Sequence, residues 1–154
     1  MSKVLFLDSS PLGVITQPQQ TSEVIGITTW LVGCLRKGAT VIVPAIVYYE
    51  VKRELLRAKK TSGLARLDAF VNATPGRYLA LTDNALRLAA DLWAKSRQQG
   101  QLTAAPTALD IDVILAAQVL SSGALPHDAI VVTSNSKHLS QFINAKHWND
   151  VLSG

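Results

Sequence analysis

Residues 3–7 read KVLFL, and Asp8 follows them directly. A short run in which nearly every side chain is large and apolar is typical of a strand that is buried on both faces. Such strands occur in parallel sheets that are covered by helices on both sides. The stretch therefore predicts a central strand that ends in a carboxylate.

The segments around this strand alternate between helical and strand patterns. Ser10 and Pro11 predict an N-cap and the first helical position shortly after Asp8. Apolar residues at helical spacing predict further helices around 23–36, 44–58, 64–71, 82–99 and 110–122, and β-rich runs predict strands at 39–44, within 74–82 and at 129–133. Strands that alternate with helices indicate an α/β domain with a mostly parallel central sheet.

The composition suits a single domain. The chain has 154 residues, of which 48% are hydrophobic, and a chain of this length buries roughly two-thirds of its unfolded surface. No linker, repeat or low-complexity tail divides it, so we expect one domain over residues 1–154. The first apolar run is too short for a signal peptide, and no stretch approaches a membrane span of about 20 apolar residues. We therefore expect a soluble, cytoplasmic protein that does not bind a membrane.

The cysteine and the charged residues narrow the classes of site. Cys34 is the only cysteine, which excludes an intramolecular disulfide and a thiolate metal cluster. Its place in an apolar helical stripe predicts a buried thiol. Fifteen Lys and Arg residues against eleven Asp and Glu residues give a net charge of +4, which weakly favours a polyanionic partner.

Polar residues gather where the predicted strands end. In parallel sheets the functional site lies beyond the carboxyl ends of the strands. Asp8 ends the first strand, Asn135 follows the last strong one, and Asp110 and Asp112 open a predicted helix. Side chains that are scattered along the chain are therefore expected to meet at one edge of the sheet.

Each acidic residue also has an ordinary structural explanation. Asp110 could be the N-cap of its helix, and Asp112 could simply favour the positive end of the helix dipole. Glu50 could be a solvated helix residue, and Asp8 could be a turn former. Taken together, however, Asp8 and Asp112 adjoin apolar segments with no neighbouring Lys or Arg, and unpaired carboxylates that are partly desolvated usually bind a cation or change protonation. Oxygen ligands without a His or Cys cluster favour Mg²⁺ or Mn²⁺ over zinc.

Four segments carry a recognisable order of motifs. They read LDSSPLGVITQP at 7–18, PAIVYYEVKREL at 44–55, DIDVILAAQVL at 110–120 and IVVTSNSKHLSQF at 130–142. Together these segments resemble the signatures of PIN-domain nucleases, and above all those of the VapC-type toxins of toxin–antitoxin pairs. The resemblance extends over nearly the whole chain. It implies a Rossmann-like, three-layer α/β/α domain with a mostly parallel central sheet.

The resemblance also implies a function. It implies a metal-dependent endoribonuclease that hydrolyses RNA phosphodiester bonds, is restrained by a small antitoxin protein and forms a homodimer. Asp8, Glu50 and Asp112 match the acids of the family and are implied to be both catalytic and metal-binding, with Mg²⁺ or Mn²⁺ as the cofactor. Asp112 is then the metal ligand, and Asp110 is taken as the helix cap.

The fourth position departs from the commonest family pattern. Asn135 stands where an aspartate usually follows the last core strand. As a metal ligand, Asn135 would offer a carbonyl oxygen without a negative charge, which leaves open whether one or two metal ions bind. Three further residues are candidate accessory residues. They are Asp110, which could compensate for the missing charge, Thr133, which opens the Thr-Ser-Asn motif, and His138, which could touch the phosphate or simply be a surface histidine.

A basic stretch follows Glu50. Arg53, Arg57 and Lys60 are predicted to share one helical face, which suits contacts with RNA phosphates. Solvation of an exposed helix is an equally ordinary explanation. Aromatic residues are too sparse to predict base stacking, and the tryptophans are better explained by core or interface packing.

Two helices carry more apolar surface than a small sheet needs to cover. One of them has Leu86, Ala90 and Trp93, and the other has Ile27, Trp30 and Leu31. We expect one of these two faces to form the contact of a homodimer.

Two other functions stay open. A catalytically weak PIN scaffold that binds RNA or a protein partner is supported by Asn135, although the three matched acids argue against it. A phosphoacceptor domain would use Asp8, with Lys137 as a loose candidate for its lysine. The acidic pair expected beside Asp8 in such a domain is missing, so we rank this function last.

Overall fold

The structure is a computed structural model that describes residues 2–100 and 106–152, the side chains of 106–108 excepted. Its centre is a sheet in which every pairing among the described residues is parallel. In chain order the strands are β1 Val4–Leu7, β2 Thr40–Pro44, β3 Tyr78–Leu79, β4 Ala129–Val132 and β5 Ala145–Lys146. They lie side by side in the order β3-β2-β1-β4-β5, so the strand in KVLFL is central, as predicted.

Helices connect the strands and flank the sheet in a three-layer α/β/α arrangement. Within the described ranges they are α1 Ser9–Ile15, α2 Ser22–Arg36, α3 Ala45–Arg57, α4 Thr61–Asn72, α5 Asp83–Gln98, α6 Pro106–Leu120 and α7 Ser136–Leu139, followed by a 3-10 helix at Trp148–Asp150. The predicted α/β fold is confirmed.

The central strands are apolar because helices cover both of their faces. Leu5, Phe6 and Leu7 are at most 1% exposed, and all four residues of β4 are buried. Full burial of each such side chain contributes roughly 1.5–3 kcal/mol to folding. In β1 and β4, polar side chains are therefore confined to the positions just beyond the strand ends.

Helix α1 begins two residues earlier than predicted. Asp8, not Ser10, is its N-cap, and the Asp8 side chain accepts a 2.7 Å hydrogen bond from the backbone N–H of Ser9. The acid that ends β1 thus also caps the next helix, so the strand passes into the helix without a loop. The predicted cap of α5 is confirmed, because the Thr82 hydroxyl accepts from the backbone N–H of Ala85 at 3.1 Å.

The prediction that Asp110 caps its helix is wrong. Helix α6 begins at Pro106, a residue type favoured in the first turn, so both Asp110 and Asp112 lie inside the helix. Residues two apart in an α-helix point about 200° away from each other. The two aspartates therefore face different surroundings.

The predicted basic face is broken at its last residue. Helix α3 ends at Arg57, Lys59 has a φ of 56°, and Lys60 is the N-cap of α4. A residue in the left-handed region ends a helix. Lys60 therefore lies beyond the helix that carries Arg53 and Arg57.

The two apolar helix faces that were expected to form a dimer contact differ in how far they are buried. In α2, Ile27, Trp30 and Leu31 are at most 8% exposed and belong to the core. In α5, Leu86 and Trp93 remain 46% and 39% exposed. Of the two faces, only that of α5 is left for a dimer contact. Within the described ranges, no helix is long and apolar enough to cross a membrane.

Candidate active site

Asp8 lies at the carboxyl edge of the sheet, at the junction between β1 and α1. Its Oδ1 accepts a hydrogen bond from the backbone N–H of Ser9, and its Oδ2 accepts one from the hydroxyl of Thr133, both at 2.7 Å. Burial raises the pKa of Asp8, and the hydrogen bonds from Thr133 and Ser9 offset part of that rise. The carboxylate is thus held in a fixed direction from two sides.

Thr133 follows β4 directly and is 1% exposed. Its hydroxyl donates to Asp8 and accepts from the backbone N–H of Asn135 at 2.9 Å. The backbone N–H of Ser134 donates to the hydroxyl of Ser10 at 3.1 Å. These hydrogen bonds join the loop after β4 to the start of α1, and they make Thr133 an orienting residue for Asp8.

Glu50 reaches the same edge from α3 and is partly buried. Burial is the largest cause that raises its pKa, a hydrogen bond from the Ser9 side chain lowers it, and the charge of Asp8 raises it again. The Ser9 hydroxyl lowers the pKa of Asp8 as well, so it is within reach of both carboxylates, although its single proton can be donated to only one of them at a time. Ser9 therefore connects two of the three acids, a role that the sequence reasoning missed. Its signal in the sequence is a hydroxyl placed directly after the acid that ends a strand.

Asp112 faces this edge from α6. Burial, followed by the charges of Asp8 and Glu50, raises the pKa of Asp112 to about 6. Its Oδ2 is buried without a hydrogen-bond partner. The only other such atom among the described residues is Nε of Arg77, whose guanidinium stacks on the Phe70 ring and donates to the Phe70 carbonyl at 3.0 Å.

The three acids carry negative charge that their surroundings do not balance. Among the described residues, no Lys, Arg or His forms an ion pair with Asp8, Glu50 or Asp112. Arg53 is close enough to lower the pKa of Glu50, but it is exposed and lies over the Tyr49 ring at 5.2 Å. A divalent cation would reduce the repulsion between the acids and would give the unpaired oxygen of Asp112 a partner.

The chemistry of the donor set fits a hard cation. The acids supply carboxylate oxygens, and these are ligands that Mg²⁺ and Mn²⁺ prefer. The part of the chain that the structure describes nevertheless contains no group of three or more His, Cys, Asp or Glu side chains already arranged around a metal position. The acids are gathered within electrostatic reach of one another, and an ion would have to draw them closer.

Asn135 and His138 contact each other beside the acids. Nδ2 of Asn135 lies 3.3 Å from Nδ1 of His138, and the backbone N–H of Asn135 donates to Thr133. Asn135 is therefore one residue removed from Asp8 in the hydrogen-bond network. The predicted contact of His138 with a phosphate stays a prediction.

Asp110 is not brought to the three acids. It is exposed and lines a groove of about 420 Å³ between α5 and α6, beside Leu86 and Trp93. Because it leaves α6 in a different direction from Asp112, we no longer expect Asp110 to compensate for the charge that Asn135 lacks.

The predicted RNA-binding residues lie in three different settings. Arg53 is beside Glu50, whereas Arg57 pairs with Glu54 at 2.9 Å on the exposed surface of α3. Lys60 lines a cleft that begins at Ser9. The three cations therefore do not act as one face.

Gln118 is a second residue that the sequence reasoning missed. It is 1% exposed, its Oε1 accepts from the backbone N–H of Ile46 at 3.1 Å, and its Nε2 donates to the Leu79 carbonyl at 3.0 Å. Gln118 thereby ties α6, which carries Asp112, to the start of α3, which carries Glu50. No sequence pattern distinguishes this glutamine from a solvated one.

The sequence matches no protein-family model and no curated protein. Solved structures are similar to it over nearly the full length of both chains. A chain of VapBC2 from Rickettsia felis, bound to a DNA fragment from their promoter, is 17% identical with a TM-score of 0.65, and the match covers 94% of this chain and 98% of that one. A chain of FitAcB from Neisseria gonorrhoeae is 14% identical with a TM-score of 0.67, covering 96% and 99%. A chain of DNA-bound VapBC from Salmonella typhimurium is 18% identical with a TM-score of 0.61, also covering 96% and 99%.

This chain has the PIN-domain fold. The fold agrees with the resemblance that the four sequence motifs carry, and those motifs include all three acids. At identities between 14% and 18%, the likeness establishes how the chain folds. The likeness does not show that this chain has the same binding partners, and a shared partner is taken up below as a proposal.

Proposed function

We propose that this PIN domain is a metal-dependent endoribonuclease and the toxin of a type II toxin–antitoxin pair. The observation that carries the proposal is the buried, unpartnered Oδ2 of Asp112, which lies in the field of Asp8 and Glu50. An unpaired buried charge is costly to a fold. A need to bind a metal ion explains why Asp112 is kept in this position beside two further acids that also lack a cation partner among the described residues.

Mg²⁺ or Mn²⁺ would be held by Asp8, Glu50 and Asp112, with Asn135 as a further oxygen donor. When bound, such an ion lowers the pKa of water and neutralises charge on a phosphate group. Thr133 and the backbone of Ser9 keep the carboxylate of Asp8 in one direction. Because no described histidine contacts the acids, proton transfer would rest on water and a carboxylate.

RNA as the substrate is supported by charge. The chain carries a net charge of +4, and Arg53 is an exposed cation beside Glu50. Cations next to the site attract and hold a phosphate backbone. A small antitoxin as the partner is supported by the similar structures, which are those of VapBC and FitAB proteins. A cytoplasmic location and a homodimeric state belong to the same proposal.

The test compares the parent with Asp112→Asn and Asp110→Asn on a mixed RNA pool in Mg²⁺ or Mn²⁺. We expect the parent to cleave RNA, a chelator to stop cleavage, and Asp112→Asn to slow it on the order of 100-fold or more. Asp110→Asn makes the same chemical change two residues away and should cleave like the parent. Cleavage that survives both Asp112→Asn and the chelator would contradict the proposal.

The toxin role has its own readout. Expression of the parent should arrest growth, expression of Asp112→Asn should not, and the product of a neighbouring small reading frame should relieve the arrest. Growth arrest by both variants would separate toxicity from the candidate site.

One observation favours a second candidate function, a PIN scaffold that binds RNA or a protein without cutting. Asn135 brings no charge to the site, and its amide is engaged with His138. Binding of RNA without cleavage by the parent and by Asn135→Asp would favour the scaffold over the nuclease.

A further inference from the structure

A cleft of about 720 Å³ begins at the candidate active site. One wall is α1 with the loop that follows it, within residues 9–21, and the other is the turn between α3 and α4, within residues 55–63. Ser9 lines the cleft, and its hydroxyl is close enough to lower the pKa of both Asp8 and Glu50. The acids themselves do not line the cleft, but Ser9 places one end of it next to Asp8.

Contacts between the two walls give the cleft a defined shape. Nε of Arg66 in α4 donates to the Thr16 carbonyl at 3.2 Å and joins the two walls. A Cβ atom at Gly63 would lie 2.9 Å from Cδ2 of Leu55, so glycine lets α4 approach the end of α3 closely. The position of the turn that carries Lys59 and Lys60 follows from this close approach.

The lining of the cleft is basic and hydroxylic. Lys59 and Lys60 line it together with Ser, Thr and Gln side chains, and none of the described lining residues is acidic or aromatic. Neither lysine forms an ion pair with a described residue, whereas the nearby Arg57 is paired with Glu54. Two lysines without an ion-pair partner thus line a cleft whose end lies next to three acids that also lack an ion-pair partner among the described residues.

We propose that this cleft binds the sugar–phosphate backbone of single-stranded RNA next to the bond that is cut, with Lys59 and Lys60 on successive phosphates. Lys, Ser and Thr side chains are typical contacts of phosphate and sugar oxygens. The cleft lies within the roughly 300–1,000 Å³ of small-ligand sites, so it fits a short piece of one strand and excludes a duplex. Because the described lining has no aromatic side chain, binding there does not depend on base sequence.

The inference rests on the proposed function for the identity of the ligand. An acidic polypeptide is the competing occupant, since lysines attract carboxylates as well as phosphates. RNA is favoured because Ser and Thr side chains line the cleft, and the hydroxyl groups of ribose can donate hydrogen bonds to them and accept hydrogen bonds from them. A peptide would place further carboxylates against Asp8 and Glu50.

The test is binding of a fluorescent single-stranded oligoribonucleotide of about 12 nucleotides, measured by anisotropy over a range of salt with the metal chelated. The variant is Lys59→Gln/Lys60→Gln. For single strands, each phosphate contact contributes about 0.7 to the slope of log affinity against log salt. We expect the double variant to bind roughly tenfold more weakly at low salt and its slope to be smaller by about 1.4.

The matched control is Arg36→Gln/Lys37→Gln. These residues end α2 at the opposite edge of the sheet, before β2, and both are exposed. The control removes the same charge and should leave the slope near that of the parent. If the double variant of the cleft does not fold, as judged by circular dichroism, Lys60→Gln alone should show about half the change in slope.

Three results would overturn the inference. They are an unchanged slope in the cleft variant, an equal change in the control, and a loss of affinity for a synthetic acidic peptide without a loss for RNA. Because binding is measured without metal, it does not require cleavage. A parent that cuts RNA but whose cleft variant binds normally contradicts the inference alone, whereas cleft-dependent binding without cleavage by any variant contradicts the proposed nuclease alone.

Discussion

At the scale of single residues, Asp112 shows how a partly buried acid without an ion-pair partner among the described residues opposes folding. The pKa of Asp112 in the folded chain is about 6, above the ordinary value of 3.8, because burial and the charges of Asp8 and Glu50 disfavour the ionised form. Between these two pH values, the metal-free folded chain therefore binds the proton more tightly than the unfolded chain does. This contribution to stability is complete below the ordinary pKa and is lost as the pH rises through about 6.

We therefore predict that Asp112→Asn stabilises the metal-free protein near neutral pH. One pKa unit corresponds to about 1.4 kcal/mol, and partial solvent access reduces the expected gain in the free energy of unfolding to about 1–2 kcal/mol. The variant should also show a flatter loss of stability as the pH rises from about 4 to 7. Urea denaturation in a chelator at several pH values measures both effects.

The matched control for this prediction is Asp110→Asn, which alters an exposed acid on the same helix and should change stability little. A destabilised Asp112→Asn protein at neutral pH would mean that the Asp112 carboxylate has a partner in the folded state. Addition of Mn²⁺ should make the parent more stable than Asp112→Asn, because a bound ion stabilises only a protein that retains the proposed metal ligands.

Asn135 supports a second prediction at this scale. Asn135→Asp adds a carboxylate two residues after Thr133, which holds Asp8, and should lower the apparent Kd for Mn²⁺ by roughly three- to tenfold, because an added negative charge near the acids favours a cation. Calorimetric titration measures the affinity. Cleavage rate must be followed as well, since a metal held too tightly can slow the reaction.

The control for the added charge is Asn72→Asp, at the end of α4 near the opposite edge of the sheet. It changes the net charge equally and should leave the affinity for Mn²⁺ unchanged. An equal gain in both variants would attribute the effect to net charge rather than to the site.

Residue-scale features were predictable where chemistry is visible in the side chain itself. Asp8, Glu50 and Asp112 are predicted from the sequence to lie at one edge, and their effects on one another's pKa show that they do. Whether a residue caps a helix or lies inside it depends on where the helix begins, and that position is less clear in the sequence. The start of α6 at Pro106, earlier than predicted, is why Asp110 was assigned wrongly as the cap.

At the scale of secondary-structure elements, Gln118 connects the parts that carry the acids. Pro44 precedes α3 and provides no side-chain cap, so the N–H of Ile46 is satisfied by Gln118 from α6. The same side chain donates to the carbonyl of Leu79 in β3. A buried amide thus keeps α3 and α6 in a fixed relation.

We predict that Gln118→Met lowers the free energy of unfolding by about 2–4 kcal/mol. Methionine fills a similar volume, but it leaves a buried N–H and a carbonyl unpaired, each at about 1–3 kcal/mol. Thermal or urea denaturation measures the loss. Gln98→Met, at the exposed end of α5, is the control and should change stability by less than about 0.5 kcal/mol.

Elements with long periodic patterns were predictable, and short ones were not. The sequence predicts α2 and the strands β1, β2 and β4 close to their observed bounds, because their apolar spacing extends over many residues or their runs are continuous. Strand β5 has two residues and exists because Val131 and Val132 pair with it. A strand of that length is defined by its neighbour, so its own residues carry no signal.

At the scale of the whole molecule, the sheet and its helices bury a continuous core, and α5 is one of the described helices that leave large apolar side chains exposed. The side chains of Leu86 and Trp93 on α5 remain exposed beside the groove that Asp110 lines. Exposed apolar side chains that adjoin each other on one face are typical of interaction surfaces. The prediction of a homodimer therefore now rests on α5 alone, because the face of α2 is buried.

We predict that Leu86→Arg/Trp93→Arg converts a dimer into a monomer and leaves the affinity for Mn²⁺ unchanged. Burying two copies of this face removes apolar surface from water at roughly 25 cal/mol per Å², whereas burying four arginines without partners opposes association. Analytical ultracentrifugation at tens of micromolar should show a dimer for the parent and a monomer for the variant.

Leu125→Arg is the control, because it alters a side chain that is 55% exposed but lies elsewhere on the surface, and it should remain dimeric. Affinity for Mn²⁺ should be equal in all three proteins, because Asp8 lies at the junction between β1 and α1, the other two acids lie on α3 and α6, and none lies on α5. A parent that sediments as a monomer at high micromolar concentration would contradict the dimer and would leave the α5 face to a different partner.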